Sequence, residues 1–512
     1  MSKFYVTTPI YYVNASPHIG HAYTTVIADT AARWQRLKGN QVFFLTGTDE
    51  HGEKIRKAAE AAGLDTQAFV DAVSGNFRDL WEKIDVCPDF FVRTTNGFHK
   101  KAVQEVIRSL DASGDIYKAK YTSLYCVPCE SFWTATQVKD AGGVCPDCRR
   151  QVETIEEENY FFRLSKYQDW LTGYLEANPD FLRPRPRHNE VMGFLKNNKL
   201  DDLCISRPKK RVSWGVEFPL DPDYVVYVWF DALLNYISAV GYGVDALKFA
   251  KWWPADVQFM AKDILRHHAI FWPIMLKALG LPLPVVVFAH GWWKIGEEKI
   301  SKSKGNIVNP LELIKDIGID ATRYFLLREV ALGLDGNYSW PAVVLRVNND
   351  LANDLGNLVY RTLNMNEKYF NAQLVRPDKS LPQAFRDSFE AVQRDFGRRM
   401  DAYEFSGALE TLSGFISAMN KYVENTKPWN LNKEGRQDEL KKFIYDLLEG
   451  IRICAIYLSP VMPRTSGIIY RQLGLEAGQM TLANAVWGCA AEYKTTKGQP
   501  LFPRIEDIGV RP

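Results

Sequence analysis

The sequence has no long apolar run and no strong excess of either charge. Its N-terminus lacks the basic-then-apolar pattern of a secretory signal, and no apolar stretch reaches membrane-spanning length. We therefore expect a cytoplasmic protein with no membrane partner. A net charge of +2 over 512 residues does not by itself indicate a nucleic-acid binder, although local basic surface matters more than the total. Repeats and low-complexity segments are absent, and 46% apolar residues leave little room for long disorder.

The length and the cysteine pattern bound the organisation of the chain. A chain of 512 residues is too long for one ordinary core, so two to four domains are expected. Four of the eight cysteines form two close pairs, which favours a metal over disulfides in a cytoplasmic protein. The other four are scattered and are predicted to be small buried residues: Cys87, Cys204, Cys454 and Cys489.

Residues 9–24 join a predicted strand to a predicted helix and contain two histidines. Apolar and polar residues alternate before this stretch, and apolar residues recur at helical spacing over residues 24–37. His18 and His21 are three residues apart at a helix start and share a face, while Gly20 leaves room for a ligand. Since a helix N-terminus attracts anions, the pattern predicts stabilisation of charge on a reacting phosphate. The alternative is a pair of histidines without a role.

A lysine- and serine-rich segment lies far downstream, with the sequence Lys299-Ile300-Ser301-Lys302-Ser303. Such a loop can place ammonium groups on a triphosphate, although a solvated surface loop is the alternative. Together with residues 18–21 it resembles the paired HIGH and KMSKS motifs of class I aminoacyl-tRNA synthetases. The first motif matches at every letter. The second has Ile for Met, a swap that nearly conserves volume and is expected to matter little.

The segments around these motifs predict a doubly wound parallel α/β fold, a Rossmann-type architecture. Residues 41–48 indicate a second buried strand, and strand–helix–strand is the opening of such a fold, whose sites lie at strand C-terminal ends. Asp49 follows such an end, although an N-cap of a helix starting near Glu53 is an equally good interpretation. The strand pattern returns later in the chain, at residues 223–231, 257–261 and 284–291.

Residues 116–225 interrupt this pattern and carry both cysteine pairs. Cys126 and Cys129 form one CxxC unit, and Cys145 and Cys148 form another after a gap of fifteen residues. This spacing is typical of a tetrahedral zinc site with four thiolates, which leaves no open position and is therefore structural. A redox CxxC pair is the alternative, and the presence of two pairs disfavours it.

The last third of the chain is predicted to be a helix bundle. Apolar residues keep one face over residues 351–359, 405–419 and 440–451, and Trp429 follows a helix-breaking proline. The predicted domains are the first catalytic half, a zinc-bearing connective insertion, the second catalytic half, a lysine-loop and linker region, and a helical anticodon-binding domain. Their predicted limits are residues 1–115, 116–225, 226–298, 299–345 and 346–512.

These features together resemble the methionyl-tRNA synthetase family over nearly the whole chain. The resemblance implies that methionine and ATP form methionyl-adenylate and pyrophosphate, and that the methionyl group then passes to the 3′ end of tRNA(Met). It also implies one structural Zn²⁺ per chain and Mg²⁺ accompanying ATP. We see no added dimerisation domain after the bundle, so we expect a monomer.

The resemblance also assigns residues to the site. The catalytic residues it implies are His18, His21, Lys299 and Lys302. The residues it implies for ATP are His18, Gly20, His21, His290, Gly291 and Lys302. The residues it implies for methionine are Ile10, Tyr12, Asp49, Trp229, Ala232, Tyr236, Ile264, His268 and Trp272. The metal ligands it implies are Cys126, Cys129, Cys145 and Cys148. The residues it implies for the anticodon are Asn357, Arg361 and Trp429.

Three other interpretations are open. A class I synthetase for cysteine or a branched-chain amino acid would share both motifs. A small-molecule nucleotidyltransferase would share the fold and a related histidine motif, but it would not need a zinc knuckle and a long helical domain. A synthetase-like RNA-binding protein without catalysis would not need His18, His21 and Lys302.

Overall fold

The computed structural model describes residues 2–14, 16–133, 135–296, 298–299, 308–378 and 380–506, with the backbone alone at 298 and 299. Lys302 lies outside the described residues, and the description of Lys299 is limited to its backbone. Within these ranges, no helix has both the length and the apolar character that crossing a bilayer requires.

A six-stranded parallel sheet forms the centre of the molecule. The strands lie in the order Phe90–Arg93, Gln41–Asp49, Lys3–Tyr12, Val257–Ala261, Val286–His290 and Leu182–Arg183. Gln41–Asp49 and Phe90–Arg93 follow Lys3–Tyr12 on one side, and Val286–His290 follows Val257–Ala261 on the other, so the switch point lies between Lys3–Tyr12 and Val257–Ala261. The predicted doubly wound parallel fold is confirmed.

The first strand and the first helix are both longer than the sequence pattern predicts. The strand spans Lys3–Tyr12, and its register against the neighbouring strand shifts between Thr7 and Ile10. Such an irregularity accommodates Pro9, which cannot donate a ladder hydrogen bond. The helix spans Ile19–Leu37 rather than beginning near residue 24, because the side chain of the residue before it caps the first turn.

The cysteine-bearing segment folds as a separate antiparallel sheet. Its strands lie in the order Ser131–Trp133, Ile116–Cys126, Glu153–Phe162 and Leu203–Cys204. A later part of the same region returns to the central sheet, where Leu182 and Arg183 pair with the strand Val286–His290. Residues 116–225 therefore contribute both a separate sheet and an edge strand of the central one.

Helices lie between and after the strands of the two sheets. Those of the first catalytic half are Ile19–Leu37, Glu53–Ala61, Thr66–Lys83 and Gly97–Ala112. Those between residues 116 and 225 are Ala135–Asp140, Gln168–Ala177 and Arg185–Asn197. Those that follow are Val228–Leu233, Asn235–Ser238, Ala246–Trp252, Trp272–Ala278, Pro310–Ile317 and Ile319–Arg328.

The C-terminal region is the predicted helix bundle. Its helices are Trp340–Leu345, Asn357–Phe370, Arg386–Ala391, Gly397–Asp401, Phe405–Thr426, Pro428–Lys433, Gln437–Leu458 and Pro463–Gln472. The apolar residues predicted for the helix faces at 351–359, 405–419 and 440–451 are buried. Short strands complete the fold, namely Ser206–Pro208 with Tyr224–Val226, Trp293–Ile295 with Glu298–Lys299 and Gly336–Asn337, and Gln373–Val375 with Glu492–Lys494. The strand predicted at residues 223–231 is therefore wrong in length and place: only Tyr224–Val226 is extended, it pairs outside the central sheet, and a helix begins at Val228.

Arg323 joins the catalytic half to the helix bundle. Its side chain is fully buried and donates to Asp29 at 2.6 Å, in the first helix, and to the carbonyl oxygen of Val461 at 2.8 Å, in the bundle. A buried guanidinium is stable only when its donors are satisfied in this way, so the contact fixes how the two regions meet.

Two of the scattered cysteines are not where the sequence places them. Cys204 and Cys454 are buried as predicted, whereas Cys87 and Cys489 are exposed. Both exposed residues lie outside regular helices and strands, where no periodic pattern distinguishes an inward from an outward side chain.

Candidate active site

A cavity of about 530 Å³ lies at the switch point of the central sheet. Its walls come from the C-terminal ends of the central strands and the helices that follow them, the usual place for a ligand in an open α/β sheet. Most of the predicted residues line it, namely Ile10, Tyr12, His18, Gly20, His21, Asp49, Trp229, Ala232, Tyr236, Ile264, His268, His290 and Gly291. The fold therefore brings together residues spread over almost 300 positions of the chain.

His18 and His21 form a reciprocal cap at the start of the helix Ile19–Leu37. The Nδ1 atom of His18 accepts from the backbone N–H of Gly20 at 3.1 Å, and the backbone N–H of His18 donates to Nδ1 of His21 at 3.1 Å. The two rings are stacked, with centroids 3.9 Å apart. Because each Nδ1 accepts, a neutral ring carries its proton on Nε2. The cap thus sets the tautomer and the orientation of both imidazoles before a ligand arrives.

Gly20 has a use that the sequence pattern does not reveal. A Cβ atom at this position would lie 2.9 Å from Cε1 of His18, a distance that real Cβ contacts do not reach. The predicted room at Gly20 is therefore taken by the His18 ring, and the glycine allows that ring to lie over the first turn of the helix.

His290 connects the first helix to the strand Val286–His290. Its Nδ1 donates to the carbonyl oxygen of Gly291 at 2.7 Å, so its Nε2 accepts from the hydroxyl of Thr24, also at 2.7 Å. A Cβ at position 291 would lie 2.2 Å from the carbonyl oxygen of Leu334, so only glycine allows this close approach. The strand end and the helix are held together beside the histidine pair.

Aromatic side chains form another wall of the cavity. The rings of Tyr12 and Trp229 meet edge to face, with centroids 6.2 Å apart. Nδ1 of His268 donates to the carbonyl oxygen of Ile264 at 2.9 Å, so its Nε2 accepts from the hydroxyl of Tyr236 at 2.7 Å. Burial lowers the pKa of His268 to about 4, so the imidazole is neutral at physiological pH.

Trp272 is predicted to touch the ligand, but its place is behind the cavity wall. Its ring is fully buried, lies 5.7 Å from that of Tyr236, and donates to Oε1 of Gln258 at 3.0 Å. The sequence does not single out His267, whose ring stacks on Trp229 with centroids 3.9 Å apart. His267 and Trp272 lie on one helical segment after the strand Val257–Ala261. The order of residues in that segment does not show which side chain faces the cavity.

Asp49 is the last residue of its strand, and one of its carboxylate oxygens has no hydrogen-bond donor among the described residues. The alternative of an N-cap is wrong, since the helix Glu53–Ala61 is preceded by Gly52. Asp49 is 2% exposed, and no donor from the described residues reaches its Oδ1. Burial, followed by the charges of Asp231 and other nearby carboxylates, raises its pKa. A buried acceptor of this kind, lining a cavity, fits a ligand ammonium.

Behind Asp49, a second carboxylate is held by two histidines. Asp231 accepts from Nδ1 of His51 at 2.7 Å and from Nε2 of His99 at 2.8 Å, and all three side chains are buried. The two imidazoles lower the pKa of Asp231 to about 2 against the opposing effect of burial. Reasoning from the sequence missed this cluster, because its members come from three separate segments.

The four paired cysteines meet at one point and could hold a metal ion. Their sulfur atoms all lie within 4.8 Å of one another, with Cys126 and Cys148 at 3.5 Å and Cys129 and Cys145 at 3.9 Å. Four thiolates around a tetrahedral zinc at 2.3 Å would be about 3.8 Å apart, so the set fits this geometry. The cluster also borders the cavity, because Cys129 and Cys148 form part of its lining.

The predicted lysine segment begins beside the cavity. The strand Glu298–Lys299 pairs with Trp293–Ile295, with Lys299 opposite Lys294, and Trp293 lines the cavity. The backbone of Lys299 is therefore one hairpin strand away from the cavity wall. Lys302 falls outside the described residues.

The three residues predicted to read an anticodon lie in the helical region. Asn357 is exposed at the start of the helix Asn357–Phe370, and Arg361, one turn later, donates to Oδ1 of Asn420 at 3.1 Å. Trp429 is 49% exposed, although its neighbours Pro428 and Leu431 are buried. The indole therefore faces outward from a short helix that is itself anchored to the bundle.

Two protein-family models match successive parts of the chain. A family model described as tRNA synthetases class I (M) matches residues 4–156 and 148–363. A second model, described as the anticodon-binding domain of tRNA ligase, matches residues 383–500. The two models together cover nearly all of the chain from the first strand to the last.

Three similar proteins match the chain over nearly its whole length. A methionine–tRNA ligase of Thermotoga maritima is 46% identical over 511 residues, which are 98% of this chain and 80% of that protein. Its counterpart from Caldanaerobacter subterraneus is 47% identical over 508 residues, or 98% and 79% of the two chains. The solved structure of Mycobacterium tuberculosis methionyl-tRNA synthetase with methionyl-adenylate matches with a TM-score of 0.93 and 40% identity, over 98% of this chain and all of that one.

Proposed function

This chain belongs to the methionyl-tRNA synthetase family of class I tRNA synthetases, and from that premise we propose how its own residues divide the work of the reaction. The enzyme activates L-methionine with ATP to give methionyl-adenylate and pyrophosphate, and then transfers the methionyl group to the 3′ end of tRNA(Met). The rival assignments to another class I synthetase, to a nucleotidyltransferase or to a non-catalytic RNA binder are thereby excluded.

In the first step the methionine carboxylate attacks the α-phosphorus of ATP, and the bond to the bridging oxygen of pyrophosphate breaks. We assign His18 and His21 to the charge that develops on the α-phosphate, because their cap fixes both imidazoles at a helix N-terminus. Lys299 and Lys302 are assigned to the departing pyrophosphate. Gly20, His290 and Gly291 complete the nucleotide side, and Mg²⁺ accompanies the triphosphate as its counter-ion.

The aromatic end of the cavity is assigned to methionine. Asp49 would bind the ammonium group, since it lines the cavity and one of its carboxylate oxygens has no donor among the described residues. The thioether would pack among the rings of Tyr12, Trp229 and Tyr236, where sulfur–aromatic contacts are favourable. Ile10, Ala232, Ile264 and His268 complete this wall. We assign Trp272 a supporting position behind Tyr236 rather than contact with the ligand.

The four-cysteine cluster is assigned to one structural zinc. The support is the sulfur geometry together with four thiolate ligands, which leave no open coordination position for catalysis. Cys126, Cys129, Cys145 and Cys148 would hold the ion and so fix the turn that borders the cavity. Its role is to give the insertion its shape.

The helical region is assigned to the CAU anticodon of tRNA(Met). The exposed indole of Trp429 offers a stacking surface for an unpaired base, and Asn357 and Arg361 offer amide and guanidinium groups for base edges. Since Asn357 and Arg361 are four residues apart on one helix, their side chains share a face. We further propose that the enzyme acts as a monomer in the cytoplasm.

One observation carries the proposal most directly. A single cavity holds the capped histidine pair at one end, and the unsatisfied Asp49 carboxylate with the aromatic wall at the other. The test is amino-acid-dependent exchange of labelled pyrophosphate into ATP, run with each of the twenty amino acids. Exchange with methionine alone, lost in Asp49→Asn and in His21→Ala for different kinetic reasons, is the expected result. Exchange driven by another amino acid, or wild-type exchange in both variants, would overturn the site assignment.

A further inference from the structure

Glu130 connects the four-cysteine cluster to the methionine end of the cavity. It follows Cys129 directly, is 2% exposed, and has a φ of 49°, a backbone conformation that is uncommon for a residue other than glycine. A buried carboxylate in an unfavourable backbone conformation costs free energy unless its contacts compensate. The hydrogen bonds of Glu130 therefore indicate its structural role.

Three elements of the cavity are tied to this one residue. The Oε2 atom accepts from the hydroxyl of Tyr12 at 2.8 Å, and Oε1 accepts from the backbone N–H of Lys54 at 2.8 Å, at the start of the helix Glu53–Ala61. The hydroxyl of Tyr227, two residues before Trp229, donates to the carbonyl oxygen of Glu130. The end of the first strand, a helix N-terminus and the segment leading to the aromatic wall thus converge on a single turn.

Gly52, which faces the Glu130 carboxylate, allows the carboxylate to approach closely. Gly52, the N-cap of the helix Glu53–Ala61, would bring a Cβ within 2.5 Å of Oε2 of Glu130, so no other side chain leaves room for the acid. Its φ of 111° lies in the region that favours glycine as well. The carboxylate also lies at the N-terminus of that helix, where it accepts one of the N–H groups that the helix leaves unpaired.

We propose that Glu130 is a positioning residue for methionine, through which the four-cysteine cluster holds Tyr12 in the wall of the amino-acid pocket. The inference rests on the proposed role of Tyr12 in that pocket. Without the hydrogen bond, the Tyr12 ring loses the contact that fixes its hydroxyl, and the edge-to-face contact with Trp229 is no longer set. The nucleotide end does not depend on this bond, because the histidine cap is made within residues 18–21.

The test compares Glu130→Ala, Glu130→Gln and Tyr12→Phe in the pyrophosphate exchange assay. For Glu130→Ala we expect the KM for methionine to rise roughly ten-fold, the usual scale for losing a hydrogen bond to a buried carboxylate. The KM for ATP, the kcat and the metal content should stay at the wild-type values. Glu130→Gln should show a smaller rise in the same parameter, because the amide can still accept from Tyr12 but presents a donor to the N–H of Lys54.

A double-mutant cycle separates positioning from a general structural role. If Glu130 acts through Tyr12, the Glu130→Ala/Tyr12→Phe variant should be no worse for methionine than the worse single variant. Additive losses, or an equal rise in the KM for ATP, would overturn the inference. Glu153→Gln, an acid in the same insertion that contacts Arg211 instead, is the matched control and should behave as wild type.

The outcomes also distinguish this inference from the pocket assignment beneath it. A normal methionine KM in Tyr12→Ala, which removes the ring as well as the hydroxyl, would show that Tyr12 does not line the working pocket, and both assignments would be wrong. A normal KM in Tyr12→Phe would overturn the role of Glu130 alone, because the ring is still present. A raised KM in Tyr12→Phe with normal values in both Glu130 variants would overturn the role of Glu130 alone. If Glu130→Ala loses metal or fails to fold, the cycle of Glu130→Gln with Tyr12→Phe decides the question by the same criterion.

Discussion

His21 and Trp429, which we propose for the phosphate and for the anticodon, lie in two regions that present their side chains in different ways. The ring of His21 is fixed before substrate arrives by a hydrogen bond to the backbone of His18 and by stacking on the His18 ring. Trp429 is 49% exposed and stands on a short helix anchored by its buried neighbours. Chemistry at a phosphate benefits from groups that need no reorganisation, whereas an aromatic ring can stack on a base only if its face is left open.

This difference predicts that a substitution in one region should affect only the step that the region serves. Variants in the cavity should change methionine activation without changing tRNA recognition, and variants at the anticodon end should do the reverse. Arg323 is where this separation is most at risk, because its buried guanidinium bonds to Asp29 on one side and Val461 on the other.

Loss of one metal ligand should have the largest effect. In Cys145→Ser we expect the metal content to fall from one ion per chain to near zero, because structural zinc binding supplies about 10–16 kcal/mol that the insertion needs to fold. Methionine activation should fail, since the turn that carries Glu130 borders the cavity. Elemental analysis and limited proteolysis of residues 116–160 are the measurements.

The control is Cys489→Ser, an exposed cysteine of the helical region outside the cluster. It should keep the metal, the activity and the proteolysis pattern. In Cys145→Ser the helical region should resist protease as in wild type. Retention of one metal ion by Cys145→Ser would contradict the four-cysteine assignment, and unfolding of both regions together would contradict their independence.

Removal of a histidine should slow the chemical step alone. His21→Ala should lower the kcat of adenylate formation by roughly 10²–10³, the effect expected when a group that meets developing charge is removed. The KM for methionine should change little, because the aromatic wall is untouched. Lys302→Ala should have an effect of the same kind and size.

Single-turnover adenylate formation is the measurement for both variants. The affinity for tRNA serves as the internal control and should equal that of wild type. A raised KM with an unchanged turnover number in either variant would show that the group binds substrate in its ground state and that its assigned role is wrong.

Asp49 should control methionine binding in a pH-dependent way. Asp49→Asn should raise the KM for methionine roughly 30-fold or more, because a buried charge pair loses one partner, a loss of about 2 kcal/mol. Burial, then Asp231 and other acids, raises the pKa of Asp49, so on acidification its carboxylate takes up a proton earlier than an ordinary aspartate does. Only the ionised form attracts the ammonium, so the wild-type KM should rise as pH falls through that raised pKa.

The pH profile of Asp49→Asn should lack this acidic limb. Tyr12→Phe is the comparison, because it alters the same end of the pocket and leaves the carboxylate in place, so it should keep the limb. An acidic limb that persists unchanged in Asp49→Asn would assign the titration to another group and remove Asp49 from the ammonium site.

The features that could be predicted from the sequence are those determined by residues close together in the chain. The four-cysteine cluster comes from two CxxC units, the bundle helices come from repeating apolar faces, and His18 with His21 come from one helix turn. In each case the physical constraint lies within a few residues, where periodicity and ligand spacing carry the information. Four strands of the parallel sheet were predicted for the same reason, since each has its own local apolar pattern: Lys3–Tyr12, Gln41–Asp49, Val257–Ala261 and Val286–His290.

What the sequence did not reveal depends on contacts between distant segments. Tyr12 and Glu130 are 118 positions apart, and His51 and Asp231 are 180 apart. No local pattern marks a glutamate after a cysteine as the hydrogen-bond partner of a distant tyrosine. Likewise the edge strand Leu182–Arg183 is only two residues long, too short for any alternation, and it exists because a neighbouring strand offers it partners.

Trp429 should have the smallest effect and should act only on tRNA. We expect Trp429→Ala to cost roughly 1–3 kcal/mol in kcat/KM for aminoacylation of tRNA(Met), the usual value of one base–aromatic stack. Methionine-dependent pyrophosphate exchange should be nearly unchanged, because no anticodon contact enters that step. Since the indole is half exposed while Pro428 and Leu431 carry the packing, its removal leaves no large cavity, and the melting temperature should hold.

Two controls show whether stacking is the reason for that loss. Trp429→Phe keeps an aromatic face and should recover part of the lost efficiency. Val375→Ala removes an apolar side chain that is 59% exposed in the strand Gln373–Val375 of the same region, and it should change nothing. If Trp429→Ala unfolds the helical region, the indole serves the core. If it charges tRNA as wild type does, the base is read elsewhere. Either result would show that Trp429 does not stack on an anticodon base, and its contrast with the enclosed histidines would no longer hold.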